Sequence, residues 1–350
     1  MTTAGLFGHT PADGTVDDAH ACLARAGRLR TGPLRTGPPV SWPIAAATLP
    51  FPAVLPDGRA VQDADPAAWS QSLRQISAAG FDHVDITDSW LRPGDLHPAG
   101  LSGLADAVHD AGLQVSAISA IRRSVVDPDD GEDNLAYSHR TVDAAVALGA
   151  PVVSVGLHRA LTPAQRQVLW FWTVPGARDP DDAGVWSTAV RRLRELGDHC
   201  ADVGIELSLE MYEDTYLGTG ASAVRLLTDI DSPAVGLNPD LGNLIRLQRP
   251  VESWRSLVET TLPHANYWHV KNYFRFEDPA TGAALTTPAP MELGFADYRW
   301  AVDFAVRSGY RGAFCCEHYG GDGLGVSAMN REYLLRLLPQ SGPATAESGS

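Results

Sequence analysis

One short stretch decides the fold: VGIELSLE, residues 203–210. It follows a run of helical periodicity that starts near Val185, and Gly204 supplies the left-handed turn with which many helices end. The residues after Gly204 form a short, largely apolar run that ends at Glu210, which is typical of a buried strand. The stretch therefore predicts a helix that passes through a glycine turn directly into a strand.

The same junction recurs on both sides of this stretch, at Gly80, Gly112, Gly149 and Gly309. Working outward from it, the pattern predicts eight strands, at Pro43–Thr48, His83–Thr87, Gln114–Ser119, Pro151–Leu157, Ile205–Glu210, Val235–Asn238, Tyr267–Val270 and Ala313–Glu317. Helices are predicted between them, including Ala67–Ala79, Leu101–Ala111, Leu135–Leu148, Val185–Val203, Ala221–Ile230 and Tyr298–Ser308. The chain is thus a regular alternation of strand and helix.

This alternation predicts an α/β protein with a parallel sheet that is covered on its faces by helices. Eight such strands favour a closed (β/α)₈ TIM barrel over an open doubly wound sheet. An open sheet that binds nucleotides would carry a glycine-rich phosphate loop after its first strand. The residues at that position are TLPFP, residues 48–52, and no such loop follows. We therefore predict a barrel.

The two ends of the chain differ from the barrel pattern. Residues 1–40 contain Arg-Thr-Gly-Pro twice, from Arg30 and from Arg35, and are rich in turn-forming residues. We expect an N-terminal extension or arm there, with a short helix over Thr15–Arg28. The catalytic domain is predicted over residues 41–338, followed by a flexible C-terminal tail over residues 339–350.

Composition excludes several classes of function. The 350 residues carry a formal net charge of −15, which argues against a nucleic-acid-binding surface. No run approaches the ~20 apolar residues that cross a bilayer, and the first residues lack the pattern of a secretory signal. The four cysteines, two of them adjacent, suit reduced core residues better than a disulfide framework. We expect a cytoplasmic protein that binds neither nucleic acid nor membrane.

The chemistry is expected where the barrel strands end, because catalytic side chains of such barrels come from the carboxyl ends of the strands. Four successive predicted strands end in Glu210, Asp240, His269 and Glu317. Three crowded carboxylates repel one another unless a cation or protons compensate them. Oxygen-rich ligands with one imidazole suit Mn²⁺, with Mg²⁺ or Co²⁺ as alternatives. The competing interpretation places each residue in an unrelated salt bridge.

These residues lie in motifs that resemble the xylose-isomerase-like superfamily, which includes sugar isomerases, ketose 3-epimerases and inosose dehydratases. The motifs are LSLE ending at Glu210, GLNPDLGN over residues 236–243, HVKN from His269 and EHYGG from Glu317, and the resemblance spans residues 43–338. It implies that Glu210, Asp240, His269 and Glu317 hold the metal. Asn243 departs from the pattern, since ketose 3-epimerases carry a histidine there. Endonuclease-IV relatives need further ligands and a DNA-binding face, which the acidic chain does not favour.

Further candidate site residues follow the strands. His158 closes the fourth strand, where it would act either as a general base of near-neutral pKa or as a substrate-gripping residue. A long insertion, residues 160–184, carries aromatic residues that suit stacking on a substrate, burial in an interface, or packing within a lid. Lys271 would steady a substrate oxygen or pair with a rim carboxylate. The predicted substrate-binding residues are Lys271, Asn243, Trp170, Trp172, Tyr216 and Glu213.

The aromatic mouth and the histidine after the fourth strand resemble one branch, the α (catalytic) subunits of bacterial C-glycoside deglycosidases. That resemblance implies Mn²⁺, a small β subunit in a hetero-oligomer, and a 3-oxo-C-glycoside of a flavonoid-type aglycone as substrate. The carbon–carbon bond would break by proton abstraction beside the ketone and β-elimination, with His158, Glu210 and Glu317 as catalytic residues. Two alternatives stay open: a sugar (phosphate) isomerase, epimerase or inosose-type dehydratase on the same metal, and a non-catalytic partner subunit.

Overall fold

The eight predicted strands form one parallel sheet in the computed structural model, which describes residues 42–339. The predicted N-terminal extension with its helix, and all of the C-terminal tail after Pro339, lie outside the described residues. The barrel strands are β1 (Ile44–Ala47), β2 (His83–Thr87), β3 (Gln114–Ala120), β4 (Val152–Val155), β5 (Glu206–Glu210), β6 (Val235–Asn238), β7 (Trp268–Val270) and β10 (Phe314–Cys316).

The sheet curls into a nearly closed barrel. Strand β1 pairs with both β2 and β10, and the order runs β6-β5-β4-β3-β2-β1-β10-β7. At the seam between β6 and β7, a single parallel bridge joins Leu237 to Ala265. The side chain of Asn238 also accepts a hydrogen bond from the backbone N–H of His269 at 2.7 Å. The predicted (β/α)₈ barrel is confirmed, and its last seam is held partly by a side chain.

Helices cover the outside of the barrel. They are α1 (Pro66–Ala78), α2 (Pro98–Asp110), α3 (Gly131–Ala147), α4 (Ala183–Val203), α5 (Gly220–Ile230), α6 (Leu241–Ile245), α7 (Trp254–Thr261), α8 (Tyr298–Arg307) and α9 (Gly323–Leu337). Helix α4 buries one stripe, Ala189, Leu193, Leu196 and Cys200, and ends at Gly204 with a φ of 77°. This positive φ confirms the glycine junction from which the fold was predicted.

An antiparallel hairpin interrupts the strand–helix alternation. Its strands β8 (Asn272–Glu277) and β9 (Ala284–Ala289) pair immediately after β7. The sequence pattern predicted no strand between Val270 and Tyr298, so the hairpin was missed. It matters for the site because its Thr286 contacts the long loop that follows β4.

Two sequence-based exclusions can be compared with the described residues. Cys200, Cys315 and Cys316 are buried and form no disulfide, as expected of reduced core cysteines. Within residues 42–339, no helix has the length and apolar character needed to cross a membrane.

Candidate active site

The structure brings the four predicted metal ligands together at the carboxyl end of the barrel. Glu210 ends β5, Asp240 follows β6, His269 lies within β7, and Glu317 follows β10. His269 Nδ1 lies 3.7 Å from a Glu210 oxygen and 4.0 Å from oxygens of both Asp240 and Glu317. None of the four residues is more than 3% exposed. Three carboxylates therefore surround one imidazole nitrogen out of contact with bulk water.

A residue that the sequence analysis missed sets the orientation of His269. Asp85, in the middle of β2, accepts a hydrogen bond from His269 Nε2 at 2.9 Å. It also accepts hydrogen bonds from the hydroxyls of Ser119 and Tyr267, each at 2.8 Å. Because this carboxylate accepts a hydrogen bond from Nε2–H, it orients the ring so that Nδ1 faces the three other carboxylates. A charged residue inside a short apolar strand was the signal that could have identified Asp85.

His269 Nδ1 is buried and has no hydrogen-bond partner among the described residues. One ligand atom from each of Glu210, Asp240 and His269 lies within 4.8 Å of the other two. Metal-binding histidines commonly donate their other ring N–H to a carboxylate, as His269 does to Asp85. On this geometry, the donor set fits a divalent cation.

Asn243 holds two of these carboxylates in place. Its side-chain N–H₂ donates to a Glu210 oxygen at 3.0 Å and to the backbone oxygen of Met211 at 3.1 Å. Its backbone N–H donates to Asp240 at 3.3 Å, at the start of α6. Asn243 is fully buried, so these contacts place it behind the ligands. Its predicted contact with substrate stays a prediction.

Lys271 is the single lysine of the 350-residue chain, and it lies inside this cluster. Its ammonium lies 2.6 Å from an Asp240 oxygen and also contacts a Glu317 oxygen. Of the two roles predicted for Lys271, the structure shows the pairing with rim carboxylates. Burial acts to lower the pKa of His269, but Cys315 and Glu210 outweigh it and raise that pKa well above 6.5, so His269 and Lys271 supply two positive charges. Glu210, Asp240 and Glu317 carry three negative charges, so negative charge remains in excess.

The pKa values of two of these carboxyl groups are shifted in opposite directions. Burial, together with the neighbouring charges of Glu317 and Glu210, raises the pKa of Asp240 to about 6 despite the opposing effect of Lys271. Burial also acts to raise the pKa of Glu210, but His269 and Lys271 outweigh it and hold that pKa at about 2. The cluster is an electrostatically unfavourable one that an additional cation would stabilise.

His158 follows β4 and packs against an aromatic ring. It is 7% exposed, stacks on Tyr212 with 3.9 Å between ring centroids, and its Nε2 is buried without a hydrogen-bond partner. Burial, and then the positive charges of Arg122 and Arg246, lower its pKa well below 6.5. The predicted near-neutral pKa was therefore wrong. A neutral imidazole at physiological pH can still accept a proton.

Glu213 pairs with a buried arginine. Both of its carboxylate oxygens accept hydrogen bonds from Arg246, at 3.1 and 3.0 Å, and Arg246 is fully buried. Burial raises the pKa of Glu213, and Arg246 opposes that rise. The guanidinium of Arg246 lies 4.8 to 5.6 Å from the centroids of four aromatic rings, those of Phe171, Trp172, Tyr212 and Tyr319. Glu213 is thus engaged with Arg246, and its predicted contact with substrate stays a prediction.

The long loop after β4 folds over the mouth of the barrel. Trp172 is 1% exposed and donates its ring N–H to Thr286 of the hairpin at 3.1 Å. Trp170 stacks on Trp172 with 5.0 Å between centroids and is partly exposed. Trp170 also packs against Gly320, where it leaves no room for a Cβ. Of the alternatives for this loop, the structure shows packing over the barrel, with Trp172 buried inside it.

Tyr216 lies in a different loop, the one that follows β5. Its hydroxyl donates to the backbone oxygen of Pro180 at 2.7 Å, and its ring packs against Trp186. The structure does not bring Tyr216 to the carboxylate cluster by any of these contacts.

A cavity of about 220 Å³ opens beside Glu317, lined by Leu49, Pro50, His318, Tyr319, Gly320, Gly321 and Gly323.

Comparison with known families agrees with the barrel fold. Residues 73–337 match the family model described as xylose isomerase-like TIM barrel. The chain belongs to this family. The comparison with curated protein sequences found no match.

Solved structures of the family include one with substantial sequence similarity. A xylose isomerase-like TIM barrel protein from Mycobacterium smegmatis, solved in complex with magnesium, is 48% identical. The match covers 85% of this chain and 96% of that one, with a TM-score of 0.81.

More distant structures share the fold. A 3-keto-D-glucoside 4-epimerase from E. coli is 16% identical, with 85% of this chain and 99% of that chain covered and a TM-score of 0.59. A D-allulose 3-epimerase from Methylomonas sp. is also 16% identical, with 87% and 100% covered and a TM-score of 0.61. Sugar epimerases are therefore among the structural neighbours of this barrel.

Proposed function

We infer that this protein is a divalent-metal-dependent enzyme that removes the proton beside the ketone of an oxo sugar. The observation that carries the proposal is Nδ1 of His269, which has no hydrogen-bond partner among the described residues and faces three buried carboxylates. The proposed ligands are Glu210, Asp240, His269 and Glu317, and the proposed metal is Mn²⁺, with Mg²⁺ or Co²⁺ as alternatives. The magnesium in the 48% identical relative supports a divalent cation. Such a cation would polarise the ketone and make the neighbouring C–H more acidic.

His158 is the proposed base. Its neutral imidazole has an unpartnered nitrogen within the aromatic mouth, so it is able to accept a proton without first losing one. Glu210 and Glu317 are the proposed second proton carriers, since both also lie beside His269.

The finer proposal is a carbon–carbon lyase acting on 3-oxo-C-glycosides. The base takes the proton from C2, the bond from C1 to the aglycone carbon breaks, and a C1–C2 double bond forms beside the ketone. The electron pair of the broken bond goes to the aglycone carbon, which then takes a proton. The aromatic residues around the mouth, including Trp170 and Tyr319, support this proposal because they suit a flat aglycone.

Epimerase, isomerase or dehydratase chemistry is the second candidate. It starts with the same proton removal, after which a proton returns to the sugar or a hydroxyl group leaves in place of the aglycone. Two carboxylates beside one histidine support this candidate, because epimerisation needs proton carriers on two faces of the sugar. The fold shared with two sugar epimerases agrees with it.

A small β subunit is part of the lyase proposal. The lyase would be recovered from its host as a hetero-oligomer, whereas a sugar epimerase of this type would assemble only with itself. Purification of the tagged chain from its native host, followed by mass analysis of intact complexes, distinguishes the two. A companion chain in stoichiometric amount supports the lyase, and a homo-oligomer supports the epimerase.

The decisive experiment measures proton exchange and products together. The protein is freed of metal with a chelator, reloaded with Mn²⁺, Mg²⁺ or Co²⁺, and incubated in D₂O with a 3-oxo-C-glucoside, 3-oxo-glucose and a free ketose. Each incubation is run with and without any co-encoded small subunit. Glu317→Gln is the inactive variant, and Glu292→Gln, at an exposed position, is its matched control.

The products separate the candidates. Metal-dependent release of free aglycone, lost in Glu317→Gln and kept in Glu292→Gln, supports the lyase. Deuterium incorporation into the ketose or 3-oxo-glucose with a changed configuration, and no aglycone, supports the epimerase. Absence of deuterium incorporation and of product from every substrate with every metal would contradict the proposed function itself.

A further inference from the structure

Two arginines share the mouth of the barrel, and they differ in how they are paired. The guanidinium carbons of Arg122 and Arg246 lie 5.1 and 4.8 Å from the centroid of the Phe171 ring. Arg246 has a carboxylate partner in Glu213. Arg122 makes no hydrogen bond or ion pair within residues 42–339, and its Nε is buried without a partner. The mouth therefore holds a guanidinium without a hydrogen-bonded counter-ion, and the carboxylate that acts on it, Asp88, is bonded to Arg123.

The charges of this cluster do not balance. Arg122, Arg123 and Arg246 supply three positive charges, Asp88 and Glu213 supply two negative charges, and His158 is held neutral by burial and by Arg122 and Arg246. Asp88 is hydrogen-bonded to Arg123, at 3.2 Å. A buried guanidinium N–H without an acceptor is costly, because it has lost its water and no protein group replaces it. The excess of one positive charge favours an anion that comes from outside the chain.

Unpartnered donor atoms mark where that anion would bind. Nε of Arg122 and Nε of Arg246 are each buried without a hydrogen-bond partner in the described part of the chain. Arg246 is fully buried. Both arginines contact the ring of Phe171, and the His158 ring centroid lies 5.9 Å from the same ring. Two guanidinium donors that lack an acceptor thus lie against one aromatic side chain.

We propose that Arg122 and Arg246 form a subsite, beside His158, that binds an oxyanion carried by the substrate. The planar guanidinium fork suits a carboxylate, a phosphate or an ionised phenol oxygen. That the anion belongs to the substrate rests on the proposed function, whereas the subsite itself rests on the charges and unpartnered atoms. On an aryl C-glycoside the group is an ionised phenol or carboxylate of the aglycone. On a smaller sugar it is a carboxylate or phosphate.

The position of the subsite relative to the metal ligands suits this role. Both regions reach the ring of Tyr319, with Lys271 Nζ 5.4 Å and the Arg246 guanidinium 5.6 Å from its centroid. Tyr319 also lines the cavity beside Glu317. A substrate whose ketone lies at the carboxylates would extend along Tyr319 and place its charged group at the arginines.

The test measures anion binding without turnover. Inorganic phosphate, benzoate and 4-nitrophenolate are titrated by calorimetry into the full chain, with neutral benzamide as the uncharged analogue of benzoate. Arg122→Gln removes the charge, and Arg122→Lys keeps the charge but removes the planar fork. Arg299→Gln, at an exposed position, is the matched control. Thermal unfolding of each variant checks that the fold is retained.

We expect at least one of the anions to saturate one site per chain while benzamide does not. Affinity should fall at least about tenfold in Arg122→Gln, partly recover in Arg122→Lys, and stay unchanged in Arg299→Gln. Which anion binds most tightly identifies the group: phosphate, carboxylate or phenolate. Absence of saturable binding, or equal affinity in wild type and Arg122→Gln, would overturn the subsite.

The titrations are repeated on chelator-treated protein. Binding at the arginines should persist there, whereas an anion held by a bound cation would be lost, and that result would also overturn the subsite. Anion binding without turnover of any oxo sugar would refute the proposed function and leave the subsite. Turnover of an oxo sugar without anion binding would refute the subsite and leave the proposed function.

Discussion

The carboxylate cluster and the arginine cluster each contribute a cation that lies against the ring of Tyr319, and they differ in charge and in origin. The carboxylates come from the ends of barrel strands and keep an excess of negative charge, even with Lys271 among them. The arginines come from the segments after β3 and α6 and keep an excess of positive charge. The difference supports the two proposals, a cation at the carboxylates and an anion at the arginines.

The largest expected effect comes from removing one proposed ligand from the carboxylate cluster. Glu317→Gln removes one charge and one ligand, and activity should fall by about 10³-fold or more, since Lewis-acid assistance is worth several kcal/mol. Bound metal, measured by elemental analysis after dialysis, should fall with it. Glu292→Gln should match wild type in both measurements. Full activity in Glu317→Gln would exclude this residue as a ligand.

His158 lies on the arginine side but is proposed to act on the substrate carbon. His158→Gln should lower the rate of deuterium exchange by about 10²- to 10⁴-fold, the usual contribution of general base catalysis. Metal content should not change, because His158 is not a proposed ligand. His109→Gln, whose side chain is 90% exposed in the native chain, is the control. Equal exchange rates in the two variants would assign the base to another residue.

Asp85 offers a smaller effect on the carboxylate side. Asp85→Asn should weaken metal affinity about 10- to 100-fold, because the amide no longer fixes the proton on Nε2 of His269. Asp82→Asn is a close control, since Asp82 pairs with a histidine at the surface, at 2.8 Å from His83 Nδ1. Metal titration of both variants tests this, and equal affinities would show that the pairing does not tune the site.

The smallest expected effect is a shift in the pH dependence of kcat/KM, through which the arginine cluster acts on the reaction. Burial and the charges of Arg122 and Arg246 hold the pKa of His158 well below 6.5, so the base is lost only in acid. Arg122→Gln removes one of these charges and should raise that pKa. The acid limb of kcat/KM should therefore move to higher pH, by about one unit or less, since one unit is about 1.4 kcal/mol of interaction. An unchanged limb, as expected for Arg299→Gln, would mean that His158 does not control it.

Much of the carboxylate side could be predicted from sequence. Parallel barrel strands bring their carboxyl ends to one rim, so a charged residue at the end of a strand is placed by the strand alone. Glu210, Asp240, His269 and Glu317 converge for that reason, and their strands lie within one or two residues of the predicted bounds. Asp85 was not predicted because it lies inside β2 and acts only through His269, a partner 184 residues away.

The sequence by itself determined the barrel, the rim and the positions of four candidate ligands, because apolar periodicity and glycine turns are local signals. Only the tertiary structure decided what the loops do. It buried Trp172 against the hairpin and paired Glu213 with Arg246. It also lowered the pKa of His158 and left Arg122 without a hydrogen-bonded counter-ion among the described residues. Each of these depends on residues that are distant in sequence and meet only when the loops fold over the barrel. Long-range contacts of this kind leave no periodic signal in the chain.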